Sequence, residues 1–254
     1  MATVKEIYEA IDRFAPFNTA FDFDNVGLLV DRLGDSVKTV AVCLDITADT
    51  VEQAKSANAE VIVSHHPVIF SPLKKLDAAS PVYMIAAANI AAICAHTNLD
   101  AASGGVNDAL SVALDLTDVQ TLGDGDDRYP PMARIGNVPE MSSTEFAKYL
   151  KQKLGCGCVK FVQCEHSIKQ VAVCGGAGEE FIFAAKENGC DALVTGESKH
   201  HLNLVAQEND FGMFACGHFC TEQVVKQNIA DLLKSEFPEL NIVILNERDP
   251  ARYL

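Results

Sequence analysis

Three short stretches of this chain carry side chains that could bind metal at points where α/β proteins place their ligands. Ser64-His65-His66-Pro67 follows a short apolar run, and Pro67 fixes the turn after it. Polar residues just past the carboxyl end of a buried strand lie at the mouth of an open α/β sheet. Adjacent histidines there point to different neighbours, because side chains alternate along an extended chain. That geometry would serve two metal ions; a pair of exposed loop histidines is the plainer alternative. His96-Thr97-Asn98-Leu99-Asp100 also follows an apolar strand, its plain reading being a core imidazole and a turn-capping carboxylate. In Gly217-His218-Phe219-Cys220-Thr221-Glu222, His218 and Glu222 share one face if a helix has begun. An imidazole and a carboxylate so spaced form a bidentate metal clip, or else a surface pair at a helix start.

His65, His66, Asp100, His218 and Glu222 together make a nitrogen and oxygen donor set. Such a set suits Zn, Mn or Fe better than Ca, which takes oxygen only. Five ligands are too many for an open mononuclear zinc site and match two ions that share a carboxylate. Two ions about 3.5–4 Å apart can activate a bridging hydroxide for hydrolysis. Cys174-Gly175-Gly176-Ala177-Gly178 competes as a phosphate loop, since it follows a strand and opens a helix. Glu179 and Glu180 come directly after it and would repel phosphate, and the lysine of a P-loop is missing. The expectation is a close-packed turn.

Alternating elements must position these residues. Thr3 and Glu6 stand in capping-box positions ahead of an amphipathic helix. The periodicity predicts strands at 37–45, 60–64, 90–96, 168–174, 192–195, 212–216 and 241–245. Helices are predicted at 48–58, 81–88, 106–116, 143–154, 179–188, 200–208 and 220–237. The halves resemble each other: Val37-Lys38-Thr39-Val40-Ala41-Val42-Cys43 parallels Ile168-Lys169-Gln170-Val171-Ala172-Val173-Cys174. The same 21-residue step leads from Cys43 to Ser64 and from Cys174 to Thr195. The fold class expected is α/β: two related α/β halves with mixed, largely parallel sheets around a shared dinuclear metal cleft. The halves are residues 1–125 and 126–254, facing each other about a pseudo-twofold axis and joined at the turn-rich Gly123–Asp127 junction.

With 254 residues, the chain is long enough for a real core without staples. Its formal charge of −15, with most of the carboxylate excess in the first half, disfavours nucleic acid as a main partner. No apolar stretch reaches the roughly 18 residues needed to span a membrane. Nine cysteines cannot all pair within the chain, and Cys156-Gly157-Cys158 lacks C-x-x-C spacing. They read as buried, reduced, structural thiols of a cytoplasmic protein.

These motifs occur in order with Phe23-Asp24-Asn25-Val26-Gly27-Leu28, Gly104-Gly105-Val106-Asn107-Asp108 and Thr195-Gly196-Glu197-Ser198-Lys199-His200-His201. Over almost its whole length the chain resembles the Nif-three-like family, labelled GTP cyclohydrolase 1 type 2 homologue. The resemblance implies a dinuclear centre at His65, His66, Asp100, His218 and Glu222, with Glu222 as the bridge. One ion would take His66 and Asp100, the other His65 and His218. It also implies ring-like homohexamers. His96 and Glu197 become candidate proton carriers or substrate contacts, as do Lys199, His200 and His201, for which a surface helix start is the alternative. Phe23 stands where many members have Trp, and only 123–134 is available where longer members insert a domain, so this is the short form. The expected function is a dinuclear metal-dependent hydrolase acting on a small molecule, a nucleotide or heterocycle, in GTP cyclohydrolase fashion through a metal-bridging hydroxide. The alternative is a non-catalytic metal-binding regulatory or scaffold protein. A phosphoesterase ranks lower, since few basic residues lie near the motifs.

Overall fold

The fold is given by a computed structural model that describes residues 2–123, 125–126 and 128–254. Asp124 and Asp127 of the expected junction, and Met1, lie outside the described residues. The chain forms two compact units. The first comprises residues up to Ser103, a short stretch ending at Tyr129, and Lys226–Glu247; the second takes up the rest, including Arg248–Leu254. The units interleave in sequence because the strand Asn241–Ile244 pairs in parallel with Thr39–Cys43.

In the first unit a five-stranded sheet runs in the order Asn241–Ile244, Thr39–Cys43, Val61–Ser64, Ala91–Cys94, Gly27–Val30. The first four strands are mutually parallel, and the last pairs antiparallel. Thr39–Cys43 and Val61–Ser64 are buried along their whole length, as expected for parallel strands covered on both faces. On one face Ala41, Cys43, Ile62 and Ala92 pack with Val51 and Ala54 of the helix Ala48–Ser56 and Ile85 of Pro81–Ala87. The N-terminal helix Val4–Phe14 has the expected capping box: Glu6 N–H donates to Thr3 Oγ1 and Thr3 N–H to Glu6 Oε2.

The second unit has a six-stranded sheet in the order Thr117–Thr121, Arg134–Met141, Ile168–Cys174, Ala192–Thr195, Gly212–Ala215, Lys160–Val162. Only the pairings among Ile168–Cys174, Ala192–Thr195 and Gly212–Ala215 are parallel. The flanking pairings are antiparallel. These flanking strands escape sequence periodicity: Thr117–Thr121 is exposed throughout, and Arg134–Met141 contains Gly136 and Pro139.

The repeat extends to hydrogen-bond detail. Cys43 lies opposite Ser64, and Cys174 opposite Thr195. Glu60 Oε2 accepts the N–H groups of Lys38 and Thr39, and Asp191 Oδ2 those of Lys169 and Gln170. The turn before the second strand uses Asn58 at φ 54° in one unit and Gly189 at φ 76° in the other.

Three sequence-derived elements differ from the structure, the first being the helix expected over 179–188, which opens as the 3-10 turn Glu179–Phe181 before the α-helix Ile182–Glu187. The strand expected over 37–45 ends at Cys43, because the Glu247 carboxylate takes the N–H groups of Leu44 and Asp45, both at 2.8 Å. The helix expected over 220–237 is two helices, His218–Glu222 and Val225–Glu236, separated by a turn. Among the described residues no helix is long and apolar enough to cross a membrane.

Glu247 also pairs with the nearly buried Lys226 at 3.0 Å. Glu247 thus serves Lys226 and two backbone amides at once, all of which lose their carboxylate if it is removed. Glu247→Ala is therefore expected to cost about 3–5 kcal/mol, read from the urea midpoint; a loss under about 1 kcal/mol would show the pair to be solvated.

Candidate metal centre

The parallel register brings Ser64 beside Cys94, so the residues that follow each strand emerge side by side. His65 is fully buried, while His66 and His96 are partly open. The His65 and His66 rings lie 4.8 Å apart between centroids, and His96 stands 5.2 and 5.4 Å from them. The three histidines present ring nitrogens within 4.8 Å of one another. Asp100 rides on the short helix Thr97–Ala101 that begins directly after His96. Its Oδ1 stands 3.6 Å from His65 Nε2.

Each imidazole has its Nδ1 committed to an oxygen acceptor. His65 Nδ1 lies 3.0 Å from Ala95 O, His66 Nδ1 2.8 Å from Asp45 Oδ1, and His96 Nδ1 2.9 Å from Asp24 Oδ1. Carbonyl and carboxylate oxygens only accept, so in each ring Nδ1 is the donor of this bond. His65 Nε2 is turned toward Asp100 Oδ1, so the buried ring and the carboxylate share one side of the site. A carboxylate or carbonyl behind the imidazole is the usual support of a metal-binding histidine.

Asp24 is held tightly. Besides His96 it accepts Thr97 Oγ1–H at 2.6 Å and Thr97 N–H at 3.1 Å. Burial acts to raise its pKa, but the hydrogen bonds from His96 and Thr97 outweigh it and hold the carboxyl well below the usual range.

The second unit repeats the pattern with different residues. His218 and Glu222 are the first and last residues of their helix, and His218 Nε2 stands 3.1 Å from Glu222 Oε2. His218 Nδ1 lies 2.7 Å from Glu197 Oε1. Glu197 therefore orients an imidazole. The Cys174–Gly178 turn forms the wall behind Glu222. Gly175 N–H donates to Asn107 Oδ1, Gly176 N–H to Thr221 Oγ1, and Gly178 N–H to Thr195 Oγ1. Amides so committed cannot cradle phosphate, and the turn is the close-packed one. Gly176 sits at φ +60°, and a Cβ there would lie 2.2 Å from Glu222 Oε1. Lys199 pairs with the buried Glu179 at 2.9 Å, and His200 and His201 are exposed at a helix start.

The structure thus brings His65, His66, His96 and Asp100 together in one unit, and His218, Glu222 and Glu197 together in the other. Of these, His65, His66, His96, Asp100, His218 and Glu222 belong to groups that could hold a metal ion. Sequence reading passed over Asp45, Asp24 as a histidine partner, and Gly176. Asp45 lay inside an expected strand; the signal for Asp24 was its place in Phe23-Asp24-Asn25.

The family model for Duf34/NIF3 (NGG1p interacting factor 3) matches residues 2–250. The chain belongs to the DUF34/NIF3 family. Among its NIF3 relatives, a "GTP cyclohydrolase 1 type 2 homolog" of Lactococcus lactis is 30% identical over 232 residues, 88% of each chain. A Helicobacter pylori protein named "GTP cyclohydrolase 1 type 2" is 30% identical over 263 residues, 100% of each. The crystal structure of a Staphylococcus aureus hypothetical protein superposes with a TM-score of 0.93 at 26% identity, covering 99% of each chain. The NIF3 fold, a mixed α/β architecture, accounts for the whole chain.

Two predictions follow from these contacts. A divalent ion held by these groups is expected to bind about ten- to a hundredfold more weakly in Gly176→Ala, which displaces Glu222, and in Glu197→Ala, which releases His218, as read by competitive chelator titration with zinc. Unchanged affinity in both would detach this half of the donor set from metal. A depressed carboxyl pKa stabilises the fold above the unfolded value of about 3.9 and ceases to do so as pH falls through the folded value. The stability gap between wild type and Asp24→Asn should accordingly be largest near neutral pH and narrow below about pH 4, as urea unfolding at both pH values will show.

Proposed function

We propose that this chain is a dinuclear metal-dependent hydrolase, with His65, His66, Asp100, His218 and Glu222 holding two divalent ions, Zn, Mn or Fe. The observation that supports the reading is that His65, His66 and His218 each have Nδ1 held by a carbonyl or carboxylate oxygen, with His, Asp and Glu side chains grouped so that they could hold a metal ion. Neither unit alone offers the full set. The assignment of Glu222 as the bridge, with His66 and Asp100 on one ion and His65 and His218 on the other, comes from the family resemblance. When bound, such a pair polarises a scissile bond and makes water nucleophilic at neutral pH.

The chain's own residues supply the rest. His96 is locked by Asp24 with Nε2 as its open nitrogen, in the tautomer that takes up a proton during hydrolysis. Asp45 and Glu197 position His66 and His218 without needing to touch substrate. The substrate is a small molecule, a nucleotide or heterocycle. The names of the relatives support GTP as the first compound to test, with loss of formate from the guanine imidazole ring. The Gly175, Gly176 and Gly178 amides are already taken by Asn107, Thr221 and Thr195, which disfavours this turn as the site of its phosphates. A ring-like homohexamer is the assembly proposed with this reading.

Metal-loaded protein incubated with GTP, and with a panel of nucleotides and heterocycles, is expected to release product that a His65→Ala/Glu222→Ala control does not. Formate is read by mass spectrometry. His96→Gln should lower kcat by about 10²–10⁴-fold with metal content unchanged. Turnover no higher than the control on every compound would remove the hydrolase and leave a metal-binding regulatory or scaffold protein. Fewer than one ion per chain by anomalous scattering would remove both.

A further inference from the structure

Residues 21–25 of the first unit present an aromatic ring to solvent from a backbone held by several hydrogen bonds. Phe21 N–H donates to Thr97 Oγ1 at 3.1 Å, and Asp24 N–H closes a turn onto Phe21 O at 2.9 Å. Asn25 N–H donates to Asp24 Oδ1 at 2.8 Å, and Asn25 Nδ2–H donates to Ile69 O. The Asp24 carboxylate is buried against His96 and Thr97. Its neighbour Phe23 is 66% exposed.

A row of π-systems backs Phe23. Its ring stacks on Phe21, with centroids 5.6 Å apart and planes 28° apart. Phe21 leans in turn on Tyr129 at 5.5 Å, and the Arg128 guanidinium lies over Tyr129 at 4.6 Å. Arg128 donates to Ala20 O at 2.7 Å and to Asp22 Oδ1 at 2.8 Å, which fixes the far end of the row. Among the described residues no further ring meets Phe23, so the row ends on an open aromatic surface.

A single exposed phenylalanine is ordinary on a protein surface. This one is set apart by its rigid support and by its place. One Cα step and the Asp24 hydrogen bond separate it from the His96 imidazole, which keeps its Cα within about 10 Å of that ring. His96 is grouped with His65 and His66 in the same unit.

We propose that Phe23 is the platform on which the planar heterocycle of the substrate stacks, next to His96. The class of ligand rests on the hydrolase reading above, and the platform adds what holds the ring. Stacking tolerates any base, because every base has a π-face. The site therefore selects for a flat, unsaturated ring before it selects for a particular one. A side chain already fixed in place loses little freedom when the ligand arrives, so more of the stacking appears as affinity. Phe23 moves no proton and breaks no bond; it binds and orients.

The chain has no tryptophan, so Phe23→Trp places a single indole at this spot. The zinc-loaded full chain carrying Phe23→Trp is titrated with GTP, guanosine and inorganic triphosphate, then with the wider panel of nucleotides and heterocycles. GTP and guanosine are expected to quench the indole saturably. Inorganic triphosphate, which has the charge and no ring, is expected to leave it unchanged. In equilibrium dialysis Phe23→Ala should bind GTP about 5- to 150-fold more weakly than wild type, with zinc affinity unchanged and binding restored in Phe23→Trp. Should Phe23→Ala fail to fold, Phe23→Leu keeps the bulk, loses the ring and answers the same question.

Equal affinity in wild type and the ring-less variant, quenching by triphosphate as strong as by GTP, or no quenching by any ring compound would overturn the proposal. So would a changed assembly mass in Phe23→Ala with ligand affinity intact, which would place Phe23 in a contact between copies. The outcome is separable from that of the hydrolase. Ring-dependent binding without turnover keeps the platform and removes hydrolysis. Turnover that Phe23→Ala leaves untouched keeps hydrolysis and removes the platform.

Discussion

Cys43, Ser64 and Cys94 lie side by side in register at the carboxyl ends of three parallel strands. Everything chemical in the first unit hangs from that level edge. Because the strands stop together, Asp45, His65, His66 and His96 leave the sheet within a few ångströms of one another. The partners that lock their imidazoles come from the same edge or from segments laid across it: Ala95, Asp45 and Asp24. The second unit has the same edge, with Cys174, Thr195 and Ala215 in register, and places Gly176, Glu197 and His218 on it.

The two units use a shared scaffold for unequal chemistry. Equivalent carboxylates, Glu60 and Asp191, hold the starts of equivalent strands. At the opposite ends the equivalence stops. Where one unit has Ser64-His65-His66, the other has Thr195-Gly196-Glu197, and the glutamate supports an imidazole instead of contributing one. Backbone amides of the Cys174–Gly178 turn that would suit an anion are consumed by Asn107, Thr221 and Thr195. Rigidity there fixes Glu222, since the turn leaves no space for even a methyl group beside its carboxylate.

Much of this was legible in the chain. The 21-residue step between Cys43 and Ser64, repeated between Cys174 and Thr195, is the strand register itself read along the sequence. Thr3 and Glu6 announced their cap because the motif is local. The flanking strands Thr117–Thr121 and Arg134–Met141 were not legible, since an exposed strand and one interrupted by Gly136 and Pro139 carry little alternation. The break after Glu222 was missed for a similar reason: 220–237 keeps helical periodicity across the turn at Gln223 and Val224.

Residue type and spacing by themselves determined the α/β class and the repeat, and singled out His65, His66, Asp100, His218 and Glu222 as the candidate nitrogen and oxygen donors. Those features depend on short-range periodicity and on the chemistry of side chains, both written in order along the chain. Only the tertiary structure decided which oxygen holds Nδ1 of each histidine, because that depends on Asp24, Asp45, Ala95 and Glu197, residues brought in by strand pairing and loop closure.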